Sequence, residues 1–437
     1  MNIKIYFKQA WAMMRQNKLF TSIYVAGTAL AIATTMIMAI VYYVKIAPIY
    51  PEVNRKRTFF ITTGREVNRS TNSTSQSNWS LHAVKDWFYT LKNVEAVSAY
   101  VNDWNVGDYI QPTDGSGTFP VVLKATDPNF FRIFEFSFIE GKPFTDIDLQ
   151  SGLRTAVISD ELSQRLFGTK KDVVGQTFSM NYVEYRVVGV VKSASFLCKQ
   201  AYAHVYVPYT THKEASSNFG STSLLGYMCV TLMVKDDAQE DLMREEINEL
   251  VRKFNASQEE ITFSIYNQPR SHLLTVFQTR LSDVDFTWGN VIKQYLLILL
   301  VLLLVPALNL SGLIAGRMET RLAEMGVRKS FGANRGGLLW QVIWENLLLT
   351  LLGSILGLVL AWIALFVCRE WIFALFETRP SVAIEGVSTS VSAEMLFAPS
   401  VFMVAFFICL VLNLLSAFIP AWNSLRNPIV KSLNEKR

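Results

Sequence analysis

The stretch LLILLVLLLVPALNL, Leu296–Leu310, carries no ionisable side chain. It lies inside an apolar run, 291–313, and three further runs of similar length occupy 19–44, 343–367 and 399–422. A bilayer core about 30 Å thick takes roughly twenty helical residues, so each run is long enough to span. The composition agrees, with 51% hydrophobic residues and a mean hydropathy of +0.24. A Lys or Arg at mid-bilayer costs about 2.5–3.5 kcal/mol. That cost places Lys45, Lys293 and Arg317 at or beyond the membrane edges, and Pro306 is expected to kink the second span. The spans read as nearly free of ionisable groups, the polar exceptions being Asn309, Ser311, Asn413 and Ser416.

Charge sets the orientation. Lys4, Lys8, Arg15 and Lys18 precede the first span without an acidic neighbour; Arg317, Arg321, Arg328, Lys329 and Arg335 fall between spans two and three; Arg426, Lys431, Lys436 and Arg437 follow span four. The loop between spans three and four instead holds Glu370, Glu377, Glu385 and Glu394 against Arg369 and Arg379. The positive-inside bias therefore puts both termini and the 314–342 loop in the cytoplasm. The net charge of +5 is explained by these flanks and argues against a nucleic-acid partner. Residues 1–18 mix apolar and basic side chains at near-helical spacing and read as an amphipathic helix on the inner leaflet. The apolar run that follows is too long for a cleavable signal and reads as an anchor.

The expected fold class is a membrane α-helical protein of four transmembrane helices, with a two-lobed extracytoplasmic α/β domain inserted between spans one and two, over 45–290. An outer lobe over about 120–215 interrupts the first. The loop 368–398 is extracytoplasmic and the tail 423–437 cytoplasmic. Within the domain, 57–67 reads as a strand and 68–78 as a mobile loop rich in Ser, Thr and Asn. Ser80 reads as an N-cap, and Asp236 and Asp237 precede a helix with Met243, Ile247, Leu250, Val251 and Phe254 on one face. Asp146 and Asp148 read as a solvated turn. Cys198 and Cys229 both fall in this domain, where a disulfide between them stays open; Cys368 and Cys409 read as packing residues. His82, His204, His212 and His272 are scattered at no metal spacing, and no catalytic motif stands out, so neither a catalytic nor a metal site is assigned.

The loop between spans two and three carries the most specific pattern. Glu324, Gly326, Val327, Arg328, Lys329, Ser330, Gly332 and Ala333 lie on a helix-friendly segment that Gly332 can end. This segment resembles the E-x-G-[IV]-R-[RK]-[AS]-x-G-A signature of the MacB/FtsX-like family of ABC transporter permeases. Residues 11–28 are similar to that family's R-x-N-K leader. The segment 416–428, with Pro420, Ala421 and Trp422, resembles its Y-P-A-W-x-A-x-x-x-x-P closing motif, although Phe418 and Ile419 stand where a Gly-Tyr-like pair is commoner. DPNFFRIFEFSFIEGKPFTDID and TAVISDELSQRLFG resemble the family's periplasmic core domain.

The resemblance implies a permease of the bacterial inner membrane that pairs with a second copy or a paralogue. It implies a separate cytoplasmic ABC ATPase docked on the 324–333 loop, since eighteen residues before span one leave no room for a fused one. No cofactor would bind the chain directly, ATP sitting on the partner, and a periplasmic adaptor is a possible further partner. The implied work is mechanotransmission, with efflux or extrusion of an antimicrobial, a peptide or a lipoprotein-like substrate. Gly353 and Gly357 form a small-xxx-small pair and read as a helix contact at the dimer seam. The competing readings are a membrane-anchored sensor or scaffold with a ligand-binding external domain, and an extracytoplasmic enzyme.

This topology makes a direct expectation. An impermeant thiol reagent applied to intact cells should label a cysteine placed near Val121 and spare one placed at Ser330. The opposite pattern would sink the topology.

Overall fold

The computed structural model describes residues 11–101, 108–112, 117–277, 330–376 and 398–426, apart from 13 and 17, with isolated positions elsewhere. The expected second span, most of the loop 368–398 and the tail beyond 426 lie outside the described residues. The chain divides into two units, one formed by 1–43, 287–376 and 393–437, the other by 44–286 and 377–392.

Helix α1 runs unbroken over Lys18–Ile46. Its sequence has no internal proline, and Lys45 stands in its last turn, where the helix dipole favours a cation. The boundary between the units falls at 43/44, so the last turn of α1 counts with the external unit.

The external unit opens with β1 (Thr58–Ile61), β2 (Gly64–Asn68) and β3 (Thr74–Trp79). The expected single strand and mobile loop are thus replaced by a hairpin, with β2 and β3 antiparallel from Gly64↔Ser77 to Val67↔Thr74. Its polar composition misled because the turn is built by side-chain bonds. Asn68 Oδ1 accepts from the N–H groups of Ser70 and Thr71, and Asn72 takes φ +53. Ser80 accepts from Ala83 N at 3.1 Å and caps α2 (Leu81–Ala83), which runs on into one π turn, Val84–Phe88. Strand β4 (Ala96–Val101) follows.

The chain continues with β5 (Asp108–Gln111), β6 (Phe119–Val121), β7 (Leu123–Thr126), α3 (Phe130–Ile133), β8 (Phe138–Gly141), α4 (Asp146–Gln150), β9 (Thr155–Ser159), α5 (Asp160–Phe167), β10 (Thr177–Met180), β11 (Val183–Val191) and β12 (Val205–Pro208), all in the same compact unit. Parallel β9 and β11 are connected by α5 and then β10; Ser159 caps α5 and Gly168 ends it at φ +70. Asp148 is not a solvated turn residue; with Thr145 it forms the capping box of α4.

The chain then returns to the first lobe with β13 (Leu225–Gly226), β14 (Met228–Met233), α6 (Asp237–Ser257), β15 (Ile261–Ser264), β16 (Arg270–Ser271) and α7 (His272–Phe277). Strand β14 lies between β1 and β4, and β15 pairs with β2, so the first and last segments of the domain interleave. Asp236 accepts from Gln239 N and caps α6, whose Met243 and Ile247 are buried. Trp79, fully buried, meets Phe88 edge-on at 4.7 Å and the tilted ring of Phe263 at 5.4 Å, which ties the π turn and β15 to the sheet. In the outer lobe the Phe-rich segment folds in on itself around Tyr206 of β12, with Phe130 and Phe134 centroids 4.6 Å apart. Such aromatic pairs add about 0.5–1.5 kcal/mol each beyond area burial. Cys198 and Cys229 are buried free thiols; they do not pair.

The other unit holds α8 (Arg335–Val367), α9 (Arg369–Phe376) and α10 (Pro399–Arg426). Among the described residues, Lys18–Ile46 and Gly336–Val367 are long and apolar enough to cross a membrane, and Pro399–Leu412 is a shorter apolar stretch.

Strands β4 and β7 pair through Tyr100↔Thr126, joining the 120–215 stretch to the rest of the external unit. Asp127, immediately after β7, reinforces it. Its Oδ2 accepts from Ala99 N of β4 at 2.8 Å and from the Tyr89 hydroxyl at 2.7 Å, and its Oδ1 accepts from Phe130 N. Burial pushes its carboxyl up from 3.8 to about 6 despite these donors. Between those values the folded chain binds more protons than the unfolded one, so this group favours folding more as pH falls from 6 towards 4. Thermal unfolding of the external unit in the full chain should show that slope, and Asp127→Asn should remove it; equal slopes in both proteins would refute the assignment.

Candidate functional site

The turn at 327–334 is built by backbone geometry. Phe331 N bonds Val327 O and Ala333 N bonds Arg328 O, closing the last turn of a helix. Gly332 ends it at φ +88, a left-handed position that a Cβ would strain. Asn334 then starts α8, its side chain accepting from Gly336 N at 3.1 Å. Ser330 donates to Val327 O at 2.6 Å. Glu324, Gly326 and Lys329 lie outside the described residues.

Arg328 does not simply project as a free cation. Its Nη1 donates to Gln341 Oε1 at 2.9 Å, and Gln341 Nε2 donates to Glu345 Oε1 at 3.1 Å. Glu345 is only 2% exposed, so the arginine is tied into a buried polar ladder along α8. Reading span three as nearly free of ionisable groups overlooked Glu345, which hides behind the aromatic Trp344 and the apolar run that follows. Ala333 packs on a cluster of Met14, Tyr24, Leu338 and Val342, which sets the turn against the leader segment.

With Arg328 and Ala333 turned inwards, Phe331 is left 87% exposed and Val327 45% exposed. Phe331 occupies the unspecified position of the motif, so the pattern itself gave no reason to select it. The available signal is physical: a large aromatic stands between the polar Arg328-Lys329-Ser330 stretch and a helix-ending glycine.

Gly353 and Gly357 face α1 of the same chain. A Cβ on Gly353 would stand 2.7 Å from Thr28 Cβ, and one on Gly357 2.6 Å from Ala29 O. Tyr24 Oη and Thr350 Oγ1 approach to 3.3 Å beside this contact, both buried. Pro420 and Ala421 lie in the helical backbone of α10. Trp422 is 43% exposed and stacks on Phe418, with centroids 5.8 Å apart.

His204 and His82 have structural partners. His204 accepts from Val122 N through Nδ1 and meets the Tyr202 hydroxyl through Nε2, and burial lowers its pKa to about 4. His82 pairs with Asp86 on the surface. Among the described residues, no group of three His, Cys, Asp or Glu side chains is placed to hold a metal.

Residues 21–250 match the family model of the MacB-like periplasmic core domain, and residues 296–429 that of the FtsX-like permease C-terminal region. An uncharacterised ABC transporter permease of Bacillus subtilis, YknZ, is 21% identical over 300 residues, covering 68% of each chain. A macrolide export ATP-binding/permease protein MacB of Yersinia pestis is 23% identical over 344 residues, 78% of this chain and 49% of that protein. A pyoverdine export ATP-binding/permease protein of Pseudomonas syringae is 25% identical over 238 residues, 54% of this chain and 34% of that protein. The chain therefore spans half or less of the two fused proteins. Among solved structures, the periplasmic region of MacB from Actinobacillus actinomycetemcomitans aligns at 15% identity with a TM-score of 0.34, over 51% of this chain and 94% of that one.

The glycine contact between α1 and α8 should be intolerant of side chains. Gly357→Val should lower stability in detergent by about 1–3 kcal/mol through overpacking. Gly337→Ala, where an added Cβ meets nothing within 4 Å, should not destabilise the chain. Thermal melting of the purified full chain distinguishes them, and equal melting would show that the α1–α8 contact is not close-packed at Gly357.

Proposed function

The chain belongs to the MacB/FtsX-like family of ABC transporter permeases, and we propose that it is the membrane subunit through which a separate cytoplasmic ATPase drives its external domain. Two copies, or one copy and a paralogue, form the working dimer in the inner membrane. Each chain crosses four times and keeps both termini in the cytoplasm. ATP binds to the partner subunits, whose closure displaces the spans and shifts the external domains. The names of the MacB and pyoverdine relatives support an export role; the cargo class is an antimicrobial, a peptide or a lipoprotein-like molecule, with a periplasmic adaptor as a further partner.

The observation that carries this reading is the turn at 327–334. Gly332 and Asn334 fix the helix end, and the bond from Arg328 to Gln341 ties it to α8. What it presents is Phe331, held out at 87% exposure beside a second apolar side chain. An aromatic on a rigid turn flanked by basic residues is suited to an apolar groove with an acidic rim on a partner protein. Arg328 acts as a positioning residue for that knob as well as a charge.

Co-purification from membranes tests the docking. Phe331→Asp should weaken capture of the ATPase by about 2 kcal/mol or more, on the order of thirtyfold in Kd. Phe331→Leu should retain most of it. Undiminished capture by Phe331→Asp would dismiss Phe331 as the anchor, whereas no capture by the unaltered chain would favour the sensor or scaffold reading.

A further inference from the structure

Three basic residues in a row, Arg55, Lys56 and Arg57, follow the first apolar helix, and they have three different environments. Lys56 is exposed, and Arg57 pairs with half-buried Glu95 at 2.9 Å. Arg55 is only 3% exposed. Its Nη1 donates to the carbonyls of Val44 and Ala47 at 2.8 and 2.7 Å, at the end of α1. Its Nε donates to Glu52 Oε2 at 2.8 Å. Glu52, 2% exposed, accepts through Oε1 from Gln200 N and Ala201 N, which lie in the loop between β11 and β12. Around this pair, Cys198 donates to Tyr50 O, and the Tyr50 hydroxyl donates to Lys192 O while accepting from Ser137 N. His272 closes the ring from the returning chain: a carbonyl can only accept, so Nε2–H donates to Lys45 O at 2.9 Å.

A helix end leaves up to four carbonyls without intrahelical partners. Water or a local turn would satisfy them at less desolvation cost than a buried ion pair, which seldom improves stability over apolar packing. The guanidinium supplies something those alternatives lack: one rigid plane holding two carbonyls and a carboxylate together. Through Glu52 that plane is fastened to two backbone amides of the outer lobe. Strand β7 of the outer lobe in turn pairs with β4 of the first through Tyr100↔Thr126.

We propose that the Arg55–Glu52 pair is the lever of the external domain, delivering displacement of α1 to the outer lobe at Gln200 and Ala201 and turning that lobe about the β4–β7 pairing. This rests on the transporter reading above. His272 keeps the returning chain in register with the same helix end, so the displacement is not lost as fraying. Arg55 and Glu52 are positioning residues, with no part in hydrolysis or cargo contact.

The test uses the full chain, with exposed Cys368 replaced by serine, reconstituted in nanodiscs with its ATPase. Spin labels go at Tyr182→Cys on the outer lobe and Leu242→Cys on the first, both exposed, and pulsed resonance reads their separation with and without ATP plus vanadate. Arg55→Lys keeps the charge but not the fork. It should reduce the nucleotide-driven change in separation roughly tenfold while ATP hydrolysis stays close to that of the unaltered complex. The double change Glu52→Leu with Arg55→Met leaves no unpaired buried charge; it carries the same expectation should the lysine variant fail to fold. A full-sized change in either folded variant overturns the lever alone. Hydrolysis falling in step with the change also overturns it, because the pair would then act on assembly with the ATPase. No nucleotide-driven change in the unaltered complex overturns the transporter reading and the lever together.

Discussion

A helix that leaves an apolar slab must hand its last carbonyls to some donor, and much of the base of the external domain is arranged around that requirement. Arg55 and His272 meet the carbonyls of Val44, Lys45 and Ala47. Because Arg55 is itself held by Glu52, and Glu52 by the amides of Gln200 and Ala201, the helix end and the outer lobe share one hydrogen-bonded body. Burial makes this arrangement demanding. With both charges almost without water, each depends on the other, and the removal of either leaves a desolvated ion.

The same economy of space governs the membrane unit. Gly353 and Gly357 let the backbone of α8 approach α1 so closely that a methyl group at either position would overlap its neighbour. Within a bilayer, where lipid is as apolar as leucine, close packing and polar contacts such as Tyr24 with Thr350 hold helices together. At the other end of α8, the ladder from Arg328 through Gln341 to Glu345 fixes the turn that exposes Phe331. A stiff helix with a defined contact at one end is what a displacement needs if it is to arrive undiminished, since packed interiors resist compression.

Much of the local structure was legible because it depends on neighbours in sequence. The cap at Ser80, the cap at Asp236, the left-handed Gly332 and the apolar face of α6 follow from residue type and spacing. The hairpin at 64–79 was not legible. Its alternating Ser, Thr and Asn residues match a loop composition, and the strand character arises from pairing with β15 and β14 on either side. Nor could the sequence distinguish Arg55 from Lys56 and Arg57, since the three differ only in what the fold brings to them from residues 44, 47 and 200. Cys198 and Cys229 share a domain in sequence, yet each is enclosed separately, Cys198 beside Tyr50 and Cys229 beside Asn78.

The sequence by itself determined that long apolar helices flank an inserted α/β domain, and which loop carries the family signature, because hydrophobic length, charge bias and helix-ending residues act over a few neighbours. Only the tertiary structure decided which charges would be buried, that the two glycines face α1 of their own chain, and that Phe331 would stand in the open. Those outcomes depend on distances between segments far apart in the chain, which no local pattern encodes.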